Sequence, residues 1–391
     1  MSIDRRPRIS GPQRWFALLA VAVFAAACSG SASPSAAPAS PTEAAVASSA
    51  PTDEVTPRWG MTAEEELAWR EIEAAAKTEG RFTYYSVGSV PADRVQELVD
   101  AFAEDYPDIQ IDYLAAGNNS AIVSRISTEQ ESQVYLGDVS DFSYGNLVAS
   151  QAAWFAEFSA PAAGDPAADW QFDPILLLDD KPVSTAMMTQ QFGFWYNTDL
   201  VAADEVPQNY MDLIDPKWKD QIAWRQPFNT GGGNHTYRFA TEKYGDAWVQ
   251  GMQAQGPVFY ANQDEALLAV ANGEFAIGFG ITGRQAASLI AEGQPLAVVW
   301  PEDIGVRVTN SMVVINNAPH INAAKVFANW MLTDRAQQLW ADLGQFPLNI
   351  NVPPAEPWMA DFTRSEFQGE NLLLADELQA LLDKAEGEFG G

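Results

Sequence analysis

The sequence predicts an α/β protein of two lobes, each a mostly parallel sheet flanked by helices. Three observations lead there. Strand-like and helix-like stretches alternate from Arg81 onward. A second alternating segment runs from about Phe192 to Val299. The part of the chain with globular composition is long enough for two lobes at roughly 150 residues per domain.

The elements follow in order. Met61 to Lys77 combines apolar spacing with many Glu and Ala residues, which predicts a helix that Gly80 stops. Arg81 to Ser86 (RFTYYS) reads as a strand and Val87-Gly88-Ser89 as a tight loop. Pro91 suits the first turn of a helix whose Val95, Leu98, Val99 and Phe102 share one face. Tyr106-Pro107 ends that helix, because the residue before proline avoids the helical region. Ile109 to Ala115 is a second strand, and Ser120 is the expected N-cap of a helix marked by Ile122, Val123 and Ile126. Val134 to Val139 is the expected third strand. This strand–helix order implies a parallel sheet with right-handed crossovers.

In the second segment Phe192 to Asn197, Ile222 to Trp224 and Phe275 to Phe279 read as strands. The loop Asn229 to Asn234 precedes a helix, and helices are expected around Ala266 to Ala271 and Arg284 to Ala291. Trp300-Pro301 reads as a lobe crossing. Residues 308–316 form another strand, with helices at Asn322 to Leu332 and Arg335 to Leu343.

The N-terminus carries an address. Arg5, Arg6, Arg8 and Arg14 precede the uncharged run Phe16 to Ala27, whose 12 residues are too few to span a bilayer but suit an export signal. The run ends in Ala-Ala-Ala-Cys28, which resembles a bacterial lipobox and implies cleavage before Cys28 and its lipidation. Residues 28–60, dominated by Ser, Ala, Pro and Thr, are the expected tether, too poor in apolar surface to offset ordering entropy. Cys28 is the only cysteine, so neither an intrachain disulfide nor a cysteine metal cluster can form.

The net charge is −30; loss of residues 1–27 leaves 18 basic against 51 acidic side chains. Such a chain repels phosphate backbones, which excludes nucleic acid as partner. The scattered acids read first as a solubility device. They also leave open a cationic ligand, such as a polyamine, held by Asp138, Asp141 and Glu302.

In parallel sheets ligands bind beyond the carboxyl ends of the strands. Three loops are expected there: Ser86 to Ser89, Gly117 to Ser120 (with Asn118 and Asn119), and Ser140 to Tyr144 (with Asp141). Turn chemistry alone accounts for any one of them; three at one edge favour a site. From the second lobe come Arg225, Arg284 and the run Thr230-Gly231-Gly232-Gly233 ahead of a helix. A guanidinium grips carboxylate or phosphate with two prongs, and a helix N-terminus favours an anion. The alternative for each arginine is a surface ion pair. Phe142, Tyr144, Phe192, Trp224 and Phe279 lie near the expected cleft edges, as core or as pocket walls. His235 lies beside the glycine run, and His320 follows Pro319 as an expected surface turn residue.

Catalysis finds little support. There is no G-x-S-x-G or H-E-x-x-H, and only two histidines are present. Gly278-Phe-Gly280-Ile-Thr-Gly283 matches G-x-G-x-x-G with Glu302 about 20 residues on, so an exported NAD-type oxidoreductase stands as the reading of another class.

Four segments carry a family resemblance: Gly80 to Ser86 with the helix ending in Phe102 and Tyr106-Pro107; Trp195-Tyr196-Asn197-Thr198 followed by Met211 to Lys219; Ala271 to Gly278; and Ala323 to Leu332 continuing to Leu343. In their order and spacing they resemble bacterial ABC-transporter solute-binding proteins of the ferric-iron and related small-ligand group. The resemblance implies a type II periplasmic-binding-protein architecture, closure around a small-molecule ligand, a membrane permease as partner, a monomer, no cofactor and no enzymatic activity. The expected lobes are residues 61–190 plus 303–350 for lobe one and 191–302 plus 351–391 for lobe two. Iron-binding members keep an adjacent tyrosine pair just after the segment equivalent to Phe275 to Gly280. This chain has Arg284-Gln285 there, which opposes ferric iron and favours an anion. Tyr84 and Tyr85 are adjacent but on a strand, so one is expected in the core and one at the surface.

Overall fold

The computed structural model describes residues 56–90, 92–116, 119–143, 152–283, 286–303, 305–360, 367–368 and 375–390. The expected export signal, Cys28 and most of the expected tether lie outside the described residues, as do Asn118, Tyr144 and Arg284.

The strands in chain order are β1 (Arg81–Ser86), β2 (Gln110–Ala115), β3 (Val139–Ser143), β4 (Ile175–Leu178), β5 (Lys181–Gln191), β6 (Gly193–Asn197), β7 (Ile222–Arg225), β8 (Val258–Tyr260), β9 (Ile277–Ile281), β10 (Leu296–Val299), β11 (Gly305–Val314) and β12 (Phe367–Gln368). The helices are α1 (Ala63–Glu79), α2 (Val95–Asp105), α3 (Asn119–Ser132), α4 (Gly232–Gln255), α5 (Gln263–Ala271), α6 (Ala286–Ala291), α7 (Ile321–Trp330), α8 (Asp334–Asp342), α9 (Pro357–Ala360) and α10 (Ala375–Phe389).

Two sheets result. The first runs β2-β1-β3-β11-β5-β4, with β12 beside β11; the second runs β10-β6-β9-β7-β8. The α/β architecture with helices on both faces is as the sequence predicts. The sheets are mixed, however. β1 pairs in parallel with β2 and β3, but β11 runs antiparallel to β3 and β5. In the second sheet β7 is parallel to β8 and β9, while β6 is antiparallel to β9 and β10. The chain passes between sheets at Phe192, joining β5 to β6, and again between β10 and β11.

Local chemistry sets the element ends. Thr62 and Glu65 form a reciprocal capping box at the start of α1, and Gly80 closes it with a left-handed φ of 69°. Leu98 and Phe102 of α2 bury against Phe327 and Trp330 of α7, in a core that also takes Phe82 and Tyr84. Ile122 and Ile126 of α3 cover the opposite face of the first sheet with Tyr85 and Phe142. The second sheet is covered on one face by α4 and α10 through Trp224, Tyr237, Trp248 and Phe389, and on the other by α5 through Leu267 and Val270.

Four expectations are corrected. The third strand begins at Val139, not Val134. Glu129 accepts hydrogen bonds from the Leu136 and Gly137 amides, which ties the preceding segment to α3 and leaves Val134 and Leu136 exposed. Ser120 is not an N-cap but already lies inside α3. Tyr84 and Tyr85 are both buried, because helices cover both faces of β1: Tyr84 meets Tyr113 and Phe327, and the Tyr85 hydroxyl donates to Glu129. Finally, the tether stops short of residue 60. Arg58 donates to Glu66 and Glu73 of α1, and Trp59 packs edge-on against Trp69. Among the described residues no helix is long and apolar enough to cross a membrane.

Candidate ligand site between the two sheets

The carboxyl ends of β1 and β7 face a cavity of about 720 Å³. Its walls come from both sheets. Val87, Gly88, Ser89, Asn119, Ser120, Ser143, Gln190 and Asn310 line one side; Phe192, Arg225, Asn229, Thr230, Gly231, Gly232, His235, Ala261, Asn262 and Gln263 line the other. A ligand at the C-terminal edge of strands, beside a helix N-terminus, is the arrangement open α/β sheets favour.

The second wall is built by the glycine run. Gly231 has φ 129° and ψ −159°, backbone reserved for glycine, and a Cβ there would stand 2.7 Å from Arg225 Nη2. A Cβ on Gly232 would strike Phe192 and the Gly280 carbonyl; one on Gly233 would strike the Arg225 and Gln226 carbonyls. Absence of side chains therefore lets α4 dock directly on β7 and β9. That places the helix N-terminus, which carries no side-chain cap, against the Arg225 guanidinium. Fixed N–H dipoles and a permanent cation then share one wall.

His235 adds no charge to that wall. Burial, then the cations Arg238 and Arg225, push its pKa down to about 4, so its ring is neutral at pH 7. It stacks on Phe192 at 6.2 Å. Among the described lining residues Arg225 is therefore the only charged side chain, and none of those residues is Asp, Glu or Tyr. Among the described residues no cluster of three His, Cys, Asp or Glu could hold a metal.

Of the residues singled out from sequence, Ser89, Asn119, Ser120, Arg225, Thr230, Gly231 and Gly232 do line the cavity. Ser86, Ser140 and Asp141 do not. They are fully buried below it, because β1 and β3 are inner strands, and residues 84–86 of the one and 139–142 of the other are all covered. The Ser140 hydroxyl donates to the Tyr85 carbonyl, Ser86 Oγ accepts from the Gly88 amide, and Asp141 accepts from Val87 N and Ser89 Oγ. Burial raises the Asp141 pKa to about 6, against the lowering effect of those hydrogen bonds. Asn118 and Arg284 lie outside the described residues.

Of the aromatic candidates Phe192 lines the cavity, while Phe142, Trp224 and Phe279 are core; Trp224 and Phe279 stack at 4.7 Å. His320 is more than a surface turn residue: its ring and backbone amide both meet the buried Asp138. Gln190, Asn262, Gln263 and Asn310 were not singled out from sequence. Asn310 sits at a bulge in β11, far along the chain from the loops it joins, and no local pattern marks it.

The G-x-G-x-x-G glycines are used for packing. A Cβ on Gly283 would strike Trp358, one on Gly278 would lie 2.9 Å from Val270, and Gly280 rests on Gly233 with φ 71°. Protein fills the room a pyrophosphate would need, and α6 has only 6 residues. The dinucleotide reading does not fit these residues.

Two sheets joined by two crossings, with a polar cavity between their edges, define a two-lobe binding protein. The sequence profile of the bacterial extracellular solute-binding protein family matches residues 149–368, more than half of the chain, and the chain belongs to that family. These are exported binding proteins, not enzymes. Solved structures agree on the fold. Iron-bound HitA from Pseudomonas aeruginosa is 18% identical, with 78% of this chain and 99% of that chain covered at a TM-score of 0.63. AfuA from Actinobacillus pleuropneumoniae, with fructose-6-phosphate bound, is 19% identical over 80% and 99% of the two chains at 0.62. The substrate-binding protein of an ABC transporter from Agrobacterium tumefaciens is 18% identical over 79% and 94% at 0.61. No curated protein matches the chain by sequence.

Proposed function

We propose that the protein captures a small anion between its lobes and delivers it to an ABC-importer permease. The lobes are residues 61–190 plus 303–350 and residues 191–302 plus the C-terminal helix α10, while β12 between them returns to β11 of the first sheet. The observation that carries this reading is the pairing of Arg225 with the uncapped N-terminus of α4 on a wall without acidic side chains among the described residues. Closure would place the anion among guanidinium and N–H donors, sheltered from water. Lipidation at Cys28 would hold the protein, a monomer, at the outer face of the cell membrane, with residues 28–55 as the tether.

The geometry gives no comparable support to a cation. Asp138 and Asp141 are buried and hydrogen-bonded within the first lobe, and Glu302 is exposed away from the cavity lining. A polyamine would meet Arg225 instead of a carboxylate. Ferric iron would lack phenolate ligands among the described lining residues.

A thermal-shift screen over sugar phosphates, phosphonates, carboxylates, polyamines and ferric iron tests the proposal. An anion at a hundredfold excess over its dissociation constant raises stability by about 2.7 kcal/mol. Stabilisation by polyamine or iron alone would reject it.

A further inference from the structure

Beneath the first-lobe wall, a buried carboxylate sets the direction of a short hydrogen-bond chain. Asp141 is fully buried on β3. One carboxylate oxygen accepts from the Val87 amide at 3.0 Å, and the other accepts from the Ser89 hydroxyl. Above its pKa of about 6, Asp141 has no proton to give. Ser89 must therefore point its only proton down into the core. Its oxygen then accepts from Asn310 Nδ2 at 2.8 Å. That bond fixes the otherwise ambiguous amide of Asn310, because only its NH₂ can donate to an oxygen whose proton is committed elsewhere. Ser89 and Asn310 both line the cavity while being only 3% and 5% exposed. What remains for a ligand is one lone pair on Ser89 Oγ and the Asn310 carbonyl oxygen.

The opposite wall has the opposite character. Gln263 Oε1 accepts from the amide and hydroxyl of Thr282, so its NH₂ group is the part left to face a ligand. Arg225 and the α4 N-terminus are donors as well. Acceptors at the Ser89–Asn310 patch thus face donors at Arg225, Gln263 and the α4 N-terminus, while Asn119, whose Oδ1 accepts from the Ser143 amide, leaves an NH₂ group elsewhere on the first-lobe wall.

We infer that Asp141 is a specificity-determining positioning residue: through Ser89 and Asn310 it makes that patch of the first-lobe wall a hydrogen-bond acceptor, so the ligand pairs its anionic end with a donor, such as a hydroxyl, at the other end. This rests on the anion reading above and adds the second pole. A ligand lacking the donor covers the Asn310 carbonyl oxygen without pairing it, a defect that binding sites reject strongly.

Replacing hydroxyl by fluorine keeps size and removes the donor, which gives the test. Isothermal titration at pH 7.5 would compare ω-hydroxyalkyl phosphates with ω-fluoroalkyl phosphates of two to six carbons, with inorganic phosphate alongside, for the wild type and Asp141→Asn. In the wild type the best hydroxylated probe should bind at least about tenfold tighter than its fluorinated twin. In Asp141→Asn the new amide donates to Ser89, releases its proton and lets Asn310 turn, so the preference should shrink to within about twofold. A merely structural role for Asp141 would lower both affinities together and keep their ratio. Equal binding of hydroxyl and fluoro probes by the wild type, or an unchanged ratio in the variant, overturns the inference. Failure of every phosphate, inorganic phosphate included, would instead count against the anion reading itself.

Discussion

Gly231→Ala separates the ligand wall from the scaffold that carries it. An alanine at φ 129° and ψ −159° adopts backbone that side chains avoid, at a cost of about 1–3 kcal/mol. For a chain of this size that lowers Tm by about 1–4 °C. The new Cβ would also lie 2.7 Å from Arg225 Nη2 and 2.8 Å from Cζ, against a contact distance of about 3.5 Å. The guanidinium, being the movable partner, must swing away from the α4 N-terminus. Loss of one charged hydrogen bond to the ligand is worth about 1.5–3 kcal/mol, or roughly 10- to 150-fold in affinity. Gly245→Ala is the matched control. Gly245 also has positive φ, 61° with ψ −151°, but its Cβ would meet no heavy atom within 4 Å. Circular-dichroism melting and calorimetric titration with the anion that most raises Tm would be run on both variants. Both should lose stability, and Gly231→Ala alone should lose affinity. Equal affinities in the two variants would refute the placement of Arg225 in the site.

Two other expectations concern the start of the folded chain. Arg58→Ala breaks the latch on α1 and leaves the fully buried Glu66 carboxylate with Arg70 as its one cation, beside the residue 58 amide; unfolding stability should fall by about 3 kcal/mol, measured by urea titration. The same latch should weaken in acid. Burial raises the Glu66 pKa, but hydrogen bonds from Arg58 and Arg70 prevail and hold it at about 2, so its contribution is present above pH 4.5 and is lost as pH falls toward 2; Arg58→Ala should flatten that part of the pH–stability profile. Deleting residues 28–55 should leave both Tm and ligand affinity unchanged, and a loss of affinity would show that the tether takes part in binding.

Most helices and the strands β1, β2, β6, β7, β9 and β11 were legible because they rest on local rules. Thr62 with Glu65, Gly80 as a left-handed stop and Leu98 with Phe102 are patterns within a few residues. The antiparallel β4–β5 pair went unread: Lys181 to Gln191 is buried along most of its length, so it shows no alternation, and its partner β11 lies more than 100 residues away. That long-range pairing also makes the first sheet mixed. The site divided along the same line. Arg225 and the glycines sit at one strand end and one helix start, where local chemistry speaks. Asn310 and Gln263 reach the cavity only through sheet assembly. Asp141 was picked out as a loop residue, but the onset of β3 at Val139 put it inside the sheet, where it acts from below.

The most direct measurement is the affinity of the best anion from the thermal-shift screen for the wild type and for Arg225→Ala, by isothermal titration at fixed salt. Removing one partner of a buried charged pair costs roughly 2–5 kcal/mol, so affinity should fall about 30-fold to several thousandfold, with the melting temperature of the ligand-free protein little changed. Tight binding of a polyamine or ferric iron that Arg225→Ala leaves intact would contradict an anion-binding cleft.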